Sequence, residues 1–442
     1  MRAADLGGKR VAIWGLGREG RAAIGVLRRA HPALPLLLLD DDPHAHAPEE
    51  CRGNFTCVFG PDRIDAALGG IDVIVKSPGV SLYRPEVEYA RGKGTKITSL
   101  LNLWFAERHD LTTVCVTGTK GKSTTAALIA HILQRLGRRV ALAGNIGVAI
   151  TEIDGIAADY AVIEMSSYQT ADFDGMCDIA VLTSLYPEHA DWHRTIESYY
   201  RDKIHLLTRS RGIVVGRDTA ASAAPYLAAV PCSMQICGDE IFDADERIGP
   251  VPNAYLARPH NRSNLCLALG AIKALGIDVA AGLDVTADFC GLPHRQQELG
   301  TRDGVLFVDD SISTIPESTI AALEVYAGRP VTLILGGYDR GLAMDKLVLT
   351  LARRAHTAVI CFGASGGRIY RELKAAGFRG AVYRARSMNE AVSLAVAATP
   401  RGGVVLLAPA APSYGHYRDF AERGRDFADK AGFSEAAAGG GR

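Results

Sequence analysis

The stretch CVTGTKGKSTT, residues 115–125, carries the densest chemistry in the chain. Gly118 and Gly121 allow the backbone to fold around phosphate oxygens, with Thr119 and Lys120 between them. Lys122 adds a cation for β and γ phosphates, and Ser123 or Thr124 offers a hydroxyl to Mg²⁺. The usual spacing of such a loop asks for a further glycine five residues before Gly121, but Val116 stands there. Two clusters follow downstream. VIEMSSYQT ends an apolar run at Glu164, where a carboxylate suits Mg²⁺ through its oxygens, and LYPEHADWH supplies His189. Taken singly, such a glutamate is an ordinary cap and such a histidine an ordinary structural residue. Near the N-terminus GLGREG, Gly15 to Gly20 with Gly17 at its centre, matches G-x-G-x-x-G, and Asp40 lies where an acid would hold a ribose hydroxyl. That pattern alone admits an NAD(P)-dependent oxidoreductase or a plain glycine turn. A nicotinamide enzyme has no need of the second loop, so nucleoside triphosphate chemistry is favoured.

These residues require strands to aim them and helices to follow. KRVAIW, the glycine turn and REGRAAIGVLRRA read as strand, loop and helix; LPLLLLD and IDVIVKSPGV add two more strands. A second unit opens at LTTVCVTGTKGKSTT and continues through YAVIEM, IAVLTSL and GIVVG. A third runs through GVLFVDDS, VTLILGG, TAVICFG and GGVVLLAPA. The alternation predicts an α/β fold of three domains: a Rossmann-like domain at 1–108, a central phosphate-loop domain at 109–296 and a second Rossmann-like domain at 297–442. The tail after Phe433 is expected to fray.

Composition narrows the classes. Lys plus Arg equals Asp plus Glu at 49 each, so no overall field favours nucleic acid or an anionic membrane. The nine cysteines are scattered with no C-x-x-C pair, which fits reduced thiols in a cytoplasm. The longest apolar run near the N-terminus, PLLLL, is far too short to span a bilayer, so no membrane insertion is expected.

TGTKGKSTT matches the short loop T-G-T-x-G-K-S/T-T, and with it the chain resembles the Mur ligases of peptidoglycan synthesis, relatives of the folylpolyglutamate synthases. AGNIG at 143–147, EMSSYQ, PEHADWH, HNRSN at 260–264 and GLPHR at 291–295 extend the resemblance over nearly the whole chain. Val116 is therefore the mark of a variant loop. A folylpolyglutamate synthase is disfavoured by the GLGREG domain that precedes it.

The resemblance implies ligation of glutamate to UDP-N-acetylmuramoyl-L-alanine, driven by ATP with Mg²⁺, for which Mn²⁺ can substitute, in a cytoplasmic monomer. Lys122, Glu164, His189 and Lys203 would be catalytic. Ser123, Glu164, His189 and a carbamylated Lys203 would hold metal. Asn264, Arg295 and Asp310 would join the loop residues at ATP. Gly17, Arg18, Glu19, Asp40, Ser77, Pro78 and Gly79 would bind uridine diphosphate, with Asn145, Gln169 and His189 on the muramoyl side. Thr314, Arg340, Ser413 and Phe420 would take the glutamate, and closure of the third domain over the second would exclude water. A ligand-binding protein without catalysis would share these residues but release no phosphate.

The glutamate end departs from the common pattern. DDSISTI replaces a motif like N-D-S-K-A-T-N, with Ile312 at the lysine, and APAAPSYG puts Gly415 where an aspartate is usual. Losing a cation beside a dicarboxylate is not a neutral exchange. SIST-P, GG-DRGL and APS-G-Y resemble the branch of the family that adds L-glutamate, the alternative being the D-glutamate ligase.

Overall fold

The computed structural model describes residues 1–48, 51, 53–108, 110–146, 148–228, 232–354 and 357–433. The tail after Phe433 and Gly147 of AGNIG lie outside them. The chain divides into two compact units, Met1–Phe289 and Cys290–Arg442.

The first unit holds two parallel sheets. One runs β3-β2-β1-β4-β5, from β1 (Val11–Trp14), β2 (Leu36–Asp40), β3 (Phe55–Phe59), β4 (Val73–Lys76) and β5 (Lys96–Thr98). VAIW in β1 is buried along its whole length, as a central parallel strand must be. The helix Arg18–Ala30 covers it with Ala23, Ile24 and Leu27 inward and Arg28 and Arg29 in its last turn, where the negative end of the helix dipole favours cations. The second sheet runs β10-β9-β6-β8-β7, from β6 (Thr112–Thr117), β7 (Val140–Gly144), β8 (Tyr160–Glu164), β9 (Cys177–Leu182) and β10 (Ser210–Val215). An antiparallel meander follows, β11 (Met234–Cys237), β12 (Glu240–Asp243) and β13 (Glu246–Pro250). One continuous core contains Ile13 and Val75 from the first sheet, Leu27 from the helix that covers it, and Ile163, Ala180 and Leu182 from the second sheet, with Leu101, Trp104 and Phe105 between. The boundary expected near 108 thus falls inside one compact unit, and the unit ends at 289 where the sequence reading drew 296.

The second unit is a six-stranded sheet ordered β14-β15-β19-β16-β17-β18, from β14 (Gln297–Arg302), β15 (Val305–Asp309), β16 (Val331–Leu335), β17 (Thr357–Phe362), β18 (Val382–Ala385) and β19 (Val404–Leu407). Only β14 is antiparallel to its neighbour. Alternate residues feed opposite faces: Val308, Leu333, Leu335 and Leu406 enter one core, Phe307, Ile334, Val405 and Leu407 the other. Among the described residues, no helix is long and apolar enough to cross a membrane.

Candidate active site

The phosphate loop joins β6 to the helix Lys122–Arg135. Gly118 and Gly121 have φ of +144° and +85°, a region that favours glycine. A Cβ at Gly118 would collide with Thr183 Oγ1, and one at Gly121 with Asn264 Oδ1. The loop is pinned from outside: Thr183 Oγ1 donates to Lys120 O (2.5 Å) and Lys120 N to Ser184 Oγ (2.8 Å), while Thr119 Oγ1 bonds Tyr199 OH (2.8 Å). Lys122 Nζ folds back onto Thr119 O at 3.0 Å. Ser123 and Thr124 are buried in the first turn of a 14-residue helix, where free N–H groups and the helix dipole favour an anion. Asn264 is buried beside the loop and accepts from Thr125 Oγ1 at 3.2 Å.

Glu164 ends β8 and is 2% exposed. Its Oε1 accepts from Asn145 Nδ2 at 3.2 Å, while its Oε2 is buried with no hydrogen-bond partner. An orphaned buried carboxylate oxygen demands a cation or a donor. Lys203, on the helix Ile196–Thr208, is also 2% exposed and donates to Gly118 O at 2.7 Å. Burial, helped by Lys122, holds its ammonium well below the usual lysine range. His189 sits at φ +53°, bonded through Nδ1 to Tyr168 OH (3.0 Å), with Glu188 3.5 Å from Nε2; burial lowers its pKa and favours the neutral ring. Glu188 also pairs with Lys120 at 2.7 Å, so it links the loop to His189. Among the described residues no three His, Cys, Asp or Glu side chains form a metal-sized group. A cation here would rest on Glu164 and on oxygens brought by a nucleotide or water, a donor set that suits Mg²⁺.

The other glycine loop lies at the carboxyl end of the first sheet. Gly15 has φ +90°, and Ser77 Oγ donates to its carbonyl at 2.6 Å. Gly17 caps the helix that Arg18 begins, and both are exposed. Asp40 accepts from Leu16 N (2.7 Å) and Asp42 N (3.0 Å), so it organises the loop itself. Pro78 O and Gly79 O both accept from Trp192 Nε1. Glu19 accepts from Gln169 Nε2 at 2.8 Å, bringing together a diphosphate-side and a muramoyl-side residue. Burial raises its pKa although Lys76 opposes this. Lys76, in turn, lies 3.5 Å from Asp172, with side chains 1% and 4% exposed.

In the second unit Asp310 is buried after β15, holding Gln296 N (3.0 Å) and the Ser313 hydroxyl; burial pushes it up to about 7 although Arg295 pulls it down. Thr314 follows on the same loop, half-buried. Arg340 is exposed with its guanidinium 5.9 Å from the Tyr414 ring. Ser413 is buried, and Phe420 begins the helix Phe420–Ala431.

Sequence reasoning missed Thr183, Ser184, Tyr199 and Glu188, which shape the phosphate loop from distant segments. It also missed the buried pair His193 and Asp202 (2.6 Å), the latter adjacent to Lys203. Apart from the second histidine of HADWH, none carries a local pattern.

Residues 116–230 match the Mur ligase middle domain and residues 294–411 the Mur ligase glutamate ligase domain. A UDP-N-acetylmuramoyl-L-alanine--L-glutamate ligase of Xanthomonas euvesicatoria pv. vesicatoria is 40% identical over 99% of this chain and 98% of its own. The like-named protein of Micromonospora sp. is 40% identical over 97% and 98%. Among solved structures, the UDP-N-acetylmuramate-alanine ligase MurC of Thermotoga maritima aligns with a TM-score of 0.56 at 18% identity, covering 96% of this chain and 99% of that one. E. coli FolC, in complex with DHPP and ADP, aligns at 0.53 and 17% identity over 70% of this chain and 88% of its own. The oxidoreductase reading is set aside, and the chain belongs to the Mur ligase family of ATP-dependent ligases.

Proposed function

We propose that this ligase adds L-glutamate to UDP-N-acetylmuramoyl-L-alanine in peptidoglycan synthesis, as a cytoplasmic monomer. The reading rests on one observation above all: the buried, partnerless Oε2 of Glu164, on the strand beside a phosphate-gripping loop. The names of relatives at about 40% identity support the substrate and the L form, as does the rebuilt DDSISTI segment.

A carboxylate is a poor electrophile. The terminal carboxylate of the nucleotide substrate therefore attacks the γ-phosphorus of ATP, ADP leaves, and an acyl phosphate forms. The glutamate amine then attacks the acyl carbon; the C–O bond breaks, inorganic phosphate departs, and the amine proton passes to solvent or base. Loop N–H groups and Lys122 neutralise charge on the phosphoryl oxygens. Mg²⁺, or Mn²⁺ in its place, would be held by Glu164 and Ser123, with His189 on a second Mg²⁺ and a carbamylated Lys203 as a further metal-binding carboxylate, and would supply charge neutralisation there. The lowered Lys203 pKa favours the neutral amine that carbamylation requires. In this reading 1–108 binds UDP through Arg18, Glu19, Asp40 and Ser77 to Gly79, with Asn145 and Gln169 at the sugar. The segment 109–296 binds ATP, and 297–442 binds glutamate through Thr314, Arg340, Ser413 and Phe420. Arg295 and Asp310 would meet ATP.

The test is phosphate release by the purified protein with ATP, Mg²⁺ and UDP-N-acetylmuramoyl-L-alanine, offering L- and D-glutamate separately. Release with L-glutamate alone is expected. Release with the D form alone overturns the handedness, and no release with either overturns the substrate assignment.

A further inference from the structure

The second unit contains a charge that the reaction above does not use. Arg423, in the first turns of the helix Phe420–Ala431, is fully buried. Among the described residues it has no salt-bridging carboxylate; instead its guanidinium spreads over backbone and hydroxyl oxygens. Nε donates to Ser311 Oγ (3.0 Å), Nη2 to Ser311 O (2.7 Å) and Nη1 to Ala411 O (2.9 Å). Ser311 Oγ passes the link on, donating to Phe420 O at 2.7 Å. A third loop closes over the same group: a Cβ at Gly337 would press on Arg423 Nη1 and Pro412 O, and Tyr338 N donates to Pro412 O at 2.8 Å. Burial draws the guanidinium down to about 10, with Tyr417 and Asp309 pulling the other way, so the group is retained against a desolvation penalty.

The four segments that meet at Arg423 have a common property. The loop after β15 carries Thr314, the loop after β16 carries Arg340, the loop after β19 carries Ser413, and the helix begins with Phe420. Two of them, DDSISTI and APAAPSYG, are the segments that depart from the usual D-glutamate pattern. We propose that Arg423 is the positioning residue of the glutamate site, setting the spacing of these four segments and hence the discrimination between the two hands of glutamate. This deepens the reading above and rests on it. A planar fork with donors on three nitrogens bridges loops that a single ammonium cannot.

Arg423→Lys and Ser311→Ala test it in the full-length protein, with steady-state constants measured for all three substrates. Arg423→Lys is expected to raise the KM for L-glutamate about tenfold, the equivalent of ~1.4 kcal/mol, and to lower the ratio of L- to D-glutamate turnover. KM for ATP and for the nucleotide substrate stays within about twofold of the parent on the same scale. Ser311→Ala, which removes the Nε acceptor and its onward bond to Phe420 O while leaving the other two Arg423 bonds to backbone oxygens, is expected to give the same pattern at about threefold, and decides the matter if Arg423→Lys does not fold. Folded variants with unchanged glutamate KM and unchanged L-to-D ratio overturn the proposal, as does a fall in kcat alone. A parent protein that uses no glutamate overturns the underlying reading instead, so the two failures are distinguishable.

Discussion

Lys122 shows how a side chain can satisfy itself without a ligand: its Nζ rests on Thr119 O, a weak partner that a phosphate would displace. Removing one preorganised charge from a phosphoryl-transfer site lowers turnover about 10²–10³-fold or more. Lys122→Ala is therefore expected to abolish measurable phosphate release while the far-UV spectrum is retained, and turnover near that of the parent would refute the ATP assignment. Asp310 makes a prediction in pH. Its carboxyl is raised to about 7 in the fold from an ordinary 3.8, so between those values the native state binds more protons than the unfolded chain. Stability from this group is complete below pH 4 and is lost as pH rises toward 7, by up to roughly 4 kcal/mol. Asp310→Asn is expected to flatten that slope, read as the difference in urea midpoint between pH 5 and pH 7.5. Equal slopes in parent and variant would show that Asp310 is ionised throughout. The residue types at this scale were legible because they sit at strand ends inside short motifs. Tyr199, Thr183 and Arg423 were not, because each acts on a loop far away in sequence and nothing local distinguishes it from a core residue.

Two elements meet at Lys76 and Asp172. Lys76 ends β4 of the first sheet, just before the Ser77-Pro78-Gly79 turn, and Asp172 follows the short helix after β8 of the second. Both are nearly inaccessible, and burial holds Asp172 above the usual carboxylate range although Lys76 opposes it. Breaking one side of such a pair leaves an uncompensated buried charge and costs about 3–5 kcal/mol, whereas replacing both with apolar groups is often near neutral. Lys76→Met is expected to lower the urea midpoint far more than Lys76→Met combined with Asp172→Leu. Equal losses would mean the pair is not coupled. Gly121 makes the matching case for a loop: at φ +85°, with Asn264 Oδ1 against any added Cβ, Gly121→Ala is expected to raise the KM for ATP about tenfold for ~1–3 kcal/mol of strain. An unchanged KM would separate the loop from ATP. Central strands such as VAIW and VVLL announced themselves as continuous apolar runs. β5 has three residues, β3 is half-exposed along an edge, and the β11–β13 meander is polar and partly exposed, so none of them carries enough periodic signal to be read.

At the scale of the whole chain, the sequence divides at 108 because a second strand, glycine loop and helix begins there. Packing does not follow that division. Leu101, Trp104 and Phe105, on the short helix before the boundary, share one core with Ile163 and Phe173 beyond it, and Phe105 packs edge-on against Phe173 at 4.8 Å. Two sheets that share a core and a buried ion pair lose both when either unfolds, so they should melt as one cooperative unit. The three tryptophans report this directly: Trp14 lies in β1, Trp104 at the junction, and Trp192, which follows β9 in the chain, packs into the same cluster as Trp14, all buried and all within Met1–Phe289. Urea unfolding followed by tryptophan emission is expected to give a single transition, and Trp14→Phe and Trp192→Phe should each lower its amplitude while leaving it single. Adding ATP with Mg²⁺ at about a hundred times its dissociation constant should raise the unfolding free energy by ~2.7 kcal/mol, shifting the whole transition, Trp14 signal included. Two resolved phases, with ATP moving only one of them and leaving the Trp14 signal in place, would instead mean that residues 1–108 fold on their own and that the shared core contributes little to coupling.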